Sequence, residues 1–441
     1  MEYIVGSQIV IRNISPFLME YIDKNYTIAN PEYAKKERLG LFTKTTPKTI
    51  QLYYRNGFDV AIPFGAFKDL WNFQKGLVEN YLTEKKPAKF GWNKLIHLYE
   101  YQRKAVEKML DAKNGILVAK CGSGKTLMAM ALIAKLGLKT LWLTHTTKLL
   151  EQSKKVAEQT FRVAEIGEIT NGKVNIGKDI TFATIQTMCK IDPNIYRNEF
   201  NVIICDECHK LFYNASALHM WSYVLNNLNA RYKYGLTATP YRADGLAKGM
   251  FALLGDVIYE VNEVVSLPIF YTQIENDFNL RNDFLNADGT IDYVNLVNTL
   301  CYSKERNEFI ANEIIKNKGE KSIALCLRIE QCKALEFLLK QKGVDAHFLK
   351  SNDKNTDFNH DVIVSTFQLC KEGLDCKELD TLFICSPIKD KVAVVQSVGR
   401  IQRKSENKEK CFVYDFIEKN IPICINFGKV RKNIIKKLWK V

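Results

Sequence analysis

The sequence predicts an α/β protein with mainly parallel sheets, and three observations lead there. Short apolar runs of strand length alternate with helical stretches along most of the chain. One run, Gly115-Ile116-Leu117-Val118, leads through a glycine-bearing turn into the apolar helical stretch Leu127-Met128-Ala129-Met130-Ala131-Leu132. Another, Asn201-Val202-Ile203-Ile204-Cys205, ends on two adjacent carboxylates, Asp206 and Glu207. The 441 residues leave room for two or three domains with ample core.

The turn at 119–126 reads AKCGSGKT and stands between a strand and a helix, where a phosphate-binding loop belongs. Gly122 and Gly124 let the backbone around Ser123 curl with its N–H groups inward. Lys125 can reach the outer phosphates, and Thr126 offers a hydroxyl to Mg²⁺ at the helix N-terminus. The strict pattern needs glycine at 119, where this chain has Ala119, so the strand-to-helix setting carries the assignment. The expected ligand is a nucleoside triphosphate with Mg²⁺. Downstream of such a loop the paired acids divide the work: Asp206 holds the ion through its water shell, and Glu207 orients and deprotonates the attacking water.

Cys205-Asp206-Glu207-Cys208-His209 also spells the C-x-x-C-H of haem attachment. That chemistry needs an exported chain, yet Met1-Glu2-Tyr3 opens no basic-then-apolar signal segment. Cys205 reads better as a small buried hydrophobe closing a strand. In the second half, Ser322 to Leu327 reads as a strand, Glu330 to Gln341 as a helix and Asp361 to Thr366 as another strand. Further on, Arg400 and Arg403 stand three apart, a spacing that puts both on one helix face.

The ordered series over residues 95 to 415 resembles a superfamily 2 helicase, the DEAD/DEAH-like motor class, with its box spelled DECH. The resemblance implies two RecA-like motor domains in tandem that close on ATP and reopen on hydrolysis. It implies an adenine-reading role for Gln102, and backbone contacts to nucleic acid from His145 and Thr146 (motif Ia), Thr184 (motif Ic), and Thr237 and Thr239 (motif III). Arg242, Arg328 and Thr366 join that strand-contacting set. Gly373 and Asp375 match motif V, beside the nucleotide. Gln396, Arg400 and Arg403 match motif VI, where the arginines stabilise charge on the transferred phosphoryl. Hydroxyls, backbone N–H groups and helix N-termini are ordinary phosphate grips, which supports the strand contacts independently.

Net charge is +14, which suits a polyanion and would equally suit a membrane surface. No apolar run approaches the length of a spanning helix. Most of the twelve cysteines stand in apolar stretches, which fits a reducing cytoplasm, the host's if the chain is phage-encoded. Boundaries are expected near 93 and 265: a small α+β accessory domain (1–93), a first motor domain (94–264), and a second (265–441) ending in a basic amphipathic helix. In the accessory part Lys35, Lys36, Arg38, Lys44 and Lys48 could grip a duplex while Tyr53 or Phe64 stacks on a base. Residues 241 to 300 read as hinge or surface loop. The function expected is ATP-driven translocation by a monomer on DNA, with branched DNA (forks and Holliday junctions) implied by likeness to phage UvsW-type branch-migration helicases. An RNA helicase with the same motor, or a non-motor nucleotide switch, are the alternatives.

Overall fold

The computed structural model describes the chain except 121, 213–214, 241–245, 262–266, 279–283, 286–289, 351–357, 372–375, 403–404, 406–407 and 439–441. Side chains at 211, 212, 215 and 371 are likewise left undescribed. It divides into two compact units, Met1–Val264 and Val265–Val441.

In the first unit eight described strands form one sheet, in the order Lys173–Asn175, Ile166–Thr170, Ile180–Thr184, Thr140–Thr144, Val202–Cys205, Tyr232–Thr237, Asn114–Ala119, Val257–Val261. All neighbours are parallel except the outermost pair at the Lys173–Asn175 edge. Helices cover both faces, so Thr140–Thr144, Ile180–Thr184 and Val202–Cys205 are buried at every residue. That is why Val202–Cys205 reads as an unbroken apolar run, and why the other two carry nothing more polar than threonine.

The N-terminal segment builds its own sheet, in the order Tyr54–Asn56, Asp59–Pro63, Gln8–Arg12, Glu2–Val5, Leu77–Asn80. Its core is continuous with the motor: Tyr3, Ile9, Leu18, Ile62 and Leu70 share one apolar cluster with Ile116, Leu141, Ile203 and Leu253. The approach is close at Gly65, where a Cβ would lie 2.3 Å from Gly255 N. A second tie is Lys233, 1% exposed on a central motor strand. Its ammonium donates to Ser7 O and Leu225 O, both at 2.9 Å, and lies 5.0 Å over the ring of Phe64. Phe64 is therefore buried beneath a lysine, and the expectation that it stacks on a base gives way: its faces are used within the core.

The second unit carries a six-stranded parallel sheet among the described residues, in the order Ile269–Asn276, Cys411–Glu418, Thr381–Ile384, Ser322–Cys326, Val362–Thr366, Ala346–Phe348. The helix Pro422–Leu438 is basic, but Arg431 on it is 2% exposed and paired with Asp415 at 2.8 Å. That arginine pins the helix to its sheet, so it is not one of the outward charges the sequence suggested. Residues 241 to 300 are also more than a hinge. They contain helix Ala247–Leu254, strands Val257–Val261 and Ile269–Asn276, and helix Tyr293–Tyr302. Both strands lie at sheet edges and are only partly buried, which blurs their apolar pattern.

Candidate nucleotide-binding and catalytic site

The phosphate loop joins strand Asn114–Ala119 to helix Lys125–Leu136. Ala119 is the last residue of the strand, paired with Val261, and its backbone is not left-handed. An extended, paired residue has no need of glycine, which explains the alanine. The left-handed positions are Gly122 and Gly124, at φ 83° and 82°. At Gly124 a Cβ would also come within 2.5 Å of Gln102 Nε2.

Gln102, 3% exposed, has its amide engaged at both ends. Oε1 accepts from Tyr99 N at 3.0 Å, closing the first turn of helix Glu100–Ala112, and Nε2 donates to Ser123 O at 2.9 Å. Tyr101 OH donates to the same carbonyl at 3.1 Å. The structure thus sets the glutamine against the backbone of the phosphate loop. Lys125 is buried and its ammonium donates to Ala119 O at 3.1 Å.

Asp206 and Glu207 leave the central strand Val202–Cys205. Asp206 Oδ1 accepts from Glu207 N at 3.0 Å, and Oδ2 accepts from Ser153 Oγ at 3.1 Å. Burial first, and then the charge of Glu207, pushes the Asp206 carboxyl up to about 6, against the opposing pull of Lys125 and its hydrogen bonds. A buried carboxylate beside a second one is relieved by a cation, so the chemistry of Asp206 fits Mg²⁺, and Thr126 is the second residue of helix Lys125–Leu136. Among the described residues no group of three or more His, Cys, Asp or Glu could cage an ion alone. Mg²⁺ does not require one, since it takes its other ligands from water and phosphates.

Glu207 has a left-handed backbone, φ 49°, without being glycine. Such conformations cost on the order of 1–3 kcal/mol and persist where function requires them. Its Oε2 lies 3.2 Å from His209 Nδ1, which lies 3.1 Å from Thr237 Oγ1. Thr239 N donates to that same hydroxyl at 3.1 Å. The His209 ring therefore stands between Glu207 and Thr237, and contacts at Thr237 Oγ1 join it to Thr239 in the segment 237–240.

The strand-contact candidates divide by exposure. His145, Thr146 and Thr239 are partly exposed, on loops at the ends of parallel strands. Thr146 caps helix Thr147–Thr160, accepting from Leu149 N at 3.3 Å, and His145 O accepts from Gln186 Nε2 at 2.9 Å. Burial foremost, then the charge of Lys210, pushes the His145 ring down to about 4, so it is neutral near pH 7. Thr184 and Thr237 face inward instead, with hydroxyls committed to Thr187 and to His209 and Thr239. In the second unit Gln396 and Arg400 lie four apart on helix Lys391–Ile401. Arg328 precedes helix Ile329–Gln341 and donates to Asn298 Oδ1 at 2.9 Å, and Thr366 ends strand Val362–Thr366. Arg242, Gly373, Asp375 and Arg403 lie outside the described residues.

A model of the family described as "Type III restriction enzyme, res subunit" matches residues 95–242. Protein L396 of Acanthamoeba polyphaga mimivirus is 26% identical over 403 residues, covering 88% of this chain and 76% of that protein. The ATP-dependent DNA helicase uvsW of Enterobacteria phage T4 is 25% identical over 366 residues, covering 75% and 70%. Among solved structures, the helicase domain of Pyrococcus furiosus Hef matches with a TM-score of 0.52 at 15% identity, covering 78% of this chain and 100% of that one. The DNA-bound Type ISP restriction-modification enzyme LlaBIII matches with a TM-score of 0.56 at 17% identity, covering 78% and 30%. These two likenesses show the fold. By these matches the chain is related to the superfamily 2 helicases, the phage UvsW-type enzymes among them, and it is an ATP-dependent nucleic-acid helicase or translocase.

Two residues of this helicase site escaped the sequence reading. Ser153 reaches Asp206 from the buried stripe Leu150, Ser153, Ala157 of its helix. A serine inside an apolar stripe was the available signal. His209 drew notice only through the haem pattern. Cys205 and Cys208 are fully buried and burial pushes both thiols up, as structural cysteines behave.

Proposed function

We propose that this helicase translocates on DNA and acts on branched substrates, with ATP hydrolysed at Lys125, Asp206 and Glu207. The observation that carries the reading is the His209 ring, which lies 3.2 Å from Glu207 Oε2 and contacts Thr237, itself bonded to Thr239, and so sets the hydrolytic carboxylate close to a partly exposed loop. Lys125 releases the Ala119 carbonyl and takes the outer phosphates. Glu207 takes the proton of the attacking water. Asp206 and Thr126 would hold Mg²⁺, which would neutralise charge on those phosphates. Gly122, Ser123 and Gly124 cradle the phosphates through backbone N–H groups. Gln102 steadies the loop beside the base. Arg400, with Arg403, stabilises the transferred phosphoryl, as motif VI implies, with Gly373 and Asp375 from motif V.

DNA as the strand is supported by the net charge of +14 and by the names of the T4 and LlaBIII proteins. RNA is the second reading, because the name of L396 refers to an RNA helicase. ATPase rates measured with single-stranded DNA, duplex, fork, four-way junction and RNA separate the two. Greatest stimulation by forks or junctions is expected. Stimulation by RNA alone would overturn the DNA assignment.

A further inference from the structure

A cavity of about 490 Å³ lies within the first unit, and no residue of the phosphate loop or DECH box lines it. One wall comes from the N-terminal segment, with Lys36, Gln51 and Tyr54. The other comes from helix Ala215–Asn227 of the motor, with His219, Ser222 and Asn226. Nothing in the ATPase reading uses this space.

Its size falls in the range of small-molecule sites and admits a nucleobase with its sugar. Asn226 and Ser222 give this wall polar side chains. Their amide and hydroxyl can exchange hydrogen bonds with the donors and acceptors of a base edge. Tyr54 is 69% exposed at the other wall and offers a ring face for stacking, the usual partner of an unstacked base. Lys36 holds its ammonium 2.7 Å from Thr46 Oγ1 and 3.5 Å from Glu32, beside the cavity.

The charge around the cavity favours a polyanionic chain. Residues 30–48 contain Lys35, Lys36, Arg38, Lys44 and Lys48 against Glu32 and Glu37 alone. Helix Pro31–Arg38, which carries three of these cations, has no buried residue. We infer that this cavity captures one unpaired nucleotide of the bound strand, its base against Asn226 and Tyr54 and its flanking phosphates on the basic segment 30–48. A base paired and stacked within a duplex cannot enter the cavity, whereas an unpaired one can be turned out of its stack. The cavity would therefore distinguish a branch point, where bases are unpaired, from continuous duplex. This rests on the proposed nucleic-acid substrate and adds the feature by which the N-terminal segment reads it.

The test uses the full chain and a DNA fork carrying 5-iododeoxyuridine at the unpaired positions next to the branch. After irradiation, cross-linked peptides are mapped by mass spectrometry. In parallel, affinities for this fork and for a fully paired duplex of equal charge are measured for wild type, Asn226→Leu and His219→Glu, with thermal unfolding as the check on folding. His219 is exposed, so its variant keeps the test open if Asn226→Leu does not fold. Cross-links on peptides bearing Tyr54 or residues 219–226 are expected. Both variants should lose about tenfold or more in fork affinity, within the range one stacked base contributes, and little in duplex affinity. Cross-links elsewhere with wild-type fork affinity in the folded variants overturn the inference. If no nucleic acid stimulates the ATPase, the proposed function fails. If stimulation is normal but the cavity is not labelled, only the cavity assignment fails.

Discussion

Replacing Lys233 by methionine should flatten a pH dependence of stability that this one side chain creates. The lysine is 1% exposed, its ammonium donates to the carbonyl oxygens of Ser7 and Leu225, and burial pushes it down to about 7. In the unfolded chain it titrates near the ordinary lysine value, about 10.4. Between those values the unfolded state binds more protons, so stability rises as pH rises from about 7, and below 7 the destabilising contribution is constant. The slope cannot exceed about 1.4 kcal/mol per pH unit for one proton. Since the folded group is half protonated near pH 7, the gain from pH 7 to 9 is roughly 2 kcal/mol. Lys233→Met has a similar reach, no charge and no such gain, although it leaves the Ser7 and Leu225 carbonyls without this donor. Four of the five tryptophans (71, 92, 142 and 221) lie in the first unit, so urea unfolding followed by their fluorescence reports on it. The stability difference between wild type and variant should shift by about 2 kcal/mol in favour of wild type between pH 7 and 9. Parallel pH profiles would show that Lys233 keeps an ordinary proton affinity, and the reasoning from burial would be wrong.

Lys125→Ala should abolish ATP hydrolysis while circular dichroism shows an intact fold; a folded variant with wild-type turnover removes the phosphate-loop assignment. Glu207→Gln should bind a fluorescent ATP analogue normally and turn over at least a hundredfold more slowly, the scale of general-base catalysis. Unchanged turnover would remove Glu207 from the base role and leave its left-handed backbone without a catalytic reason. Arg400→Ala should lower kcat by orders of magnitude with a much smaller change in KM, since its contact belongs to the transition state; a rise in KM alone would make it a ground-state ligand. Arg431→Met should destabilise the second unit by about 3–5 kcal/mol, because it strands Asp415 as an uncompensated buried charge. A stability loss under about 1 kcal/mol, seen by calorimetry, would mean Asp415 takes up a proton at little cost.

What the sequence determined by itself is the part of the molecule encoded locally. The run 114–119, the glycines at 122 and 124, and the acids after Cys205 declare themselves because strand, turn and strand end each follow from neighbouring residues. Parallel strands buried on both faces, such as Val202–Cys205 and Ser322–Cys326, are legible for the same reason. What only the tertiary structure decided depends on residues far apart in the chain. Ser153 meets Asp206 across 53 positions, and Lys233 meets Ser7 across 226. The inward turn of Thr237, the burial of Phe64 under Lys233, the pairing of Arg431 with Asp415 and the cavity beside Asn226 have no local signature. A hydroxyl, an aromatic ring or a guanidinium looks the same in sequence whether it faces solvent or core. Its role is fixed by what packing brings against it.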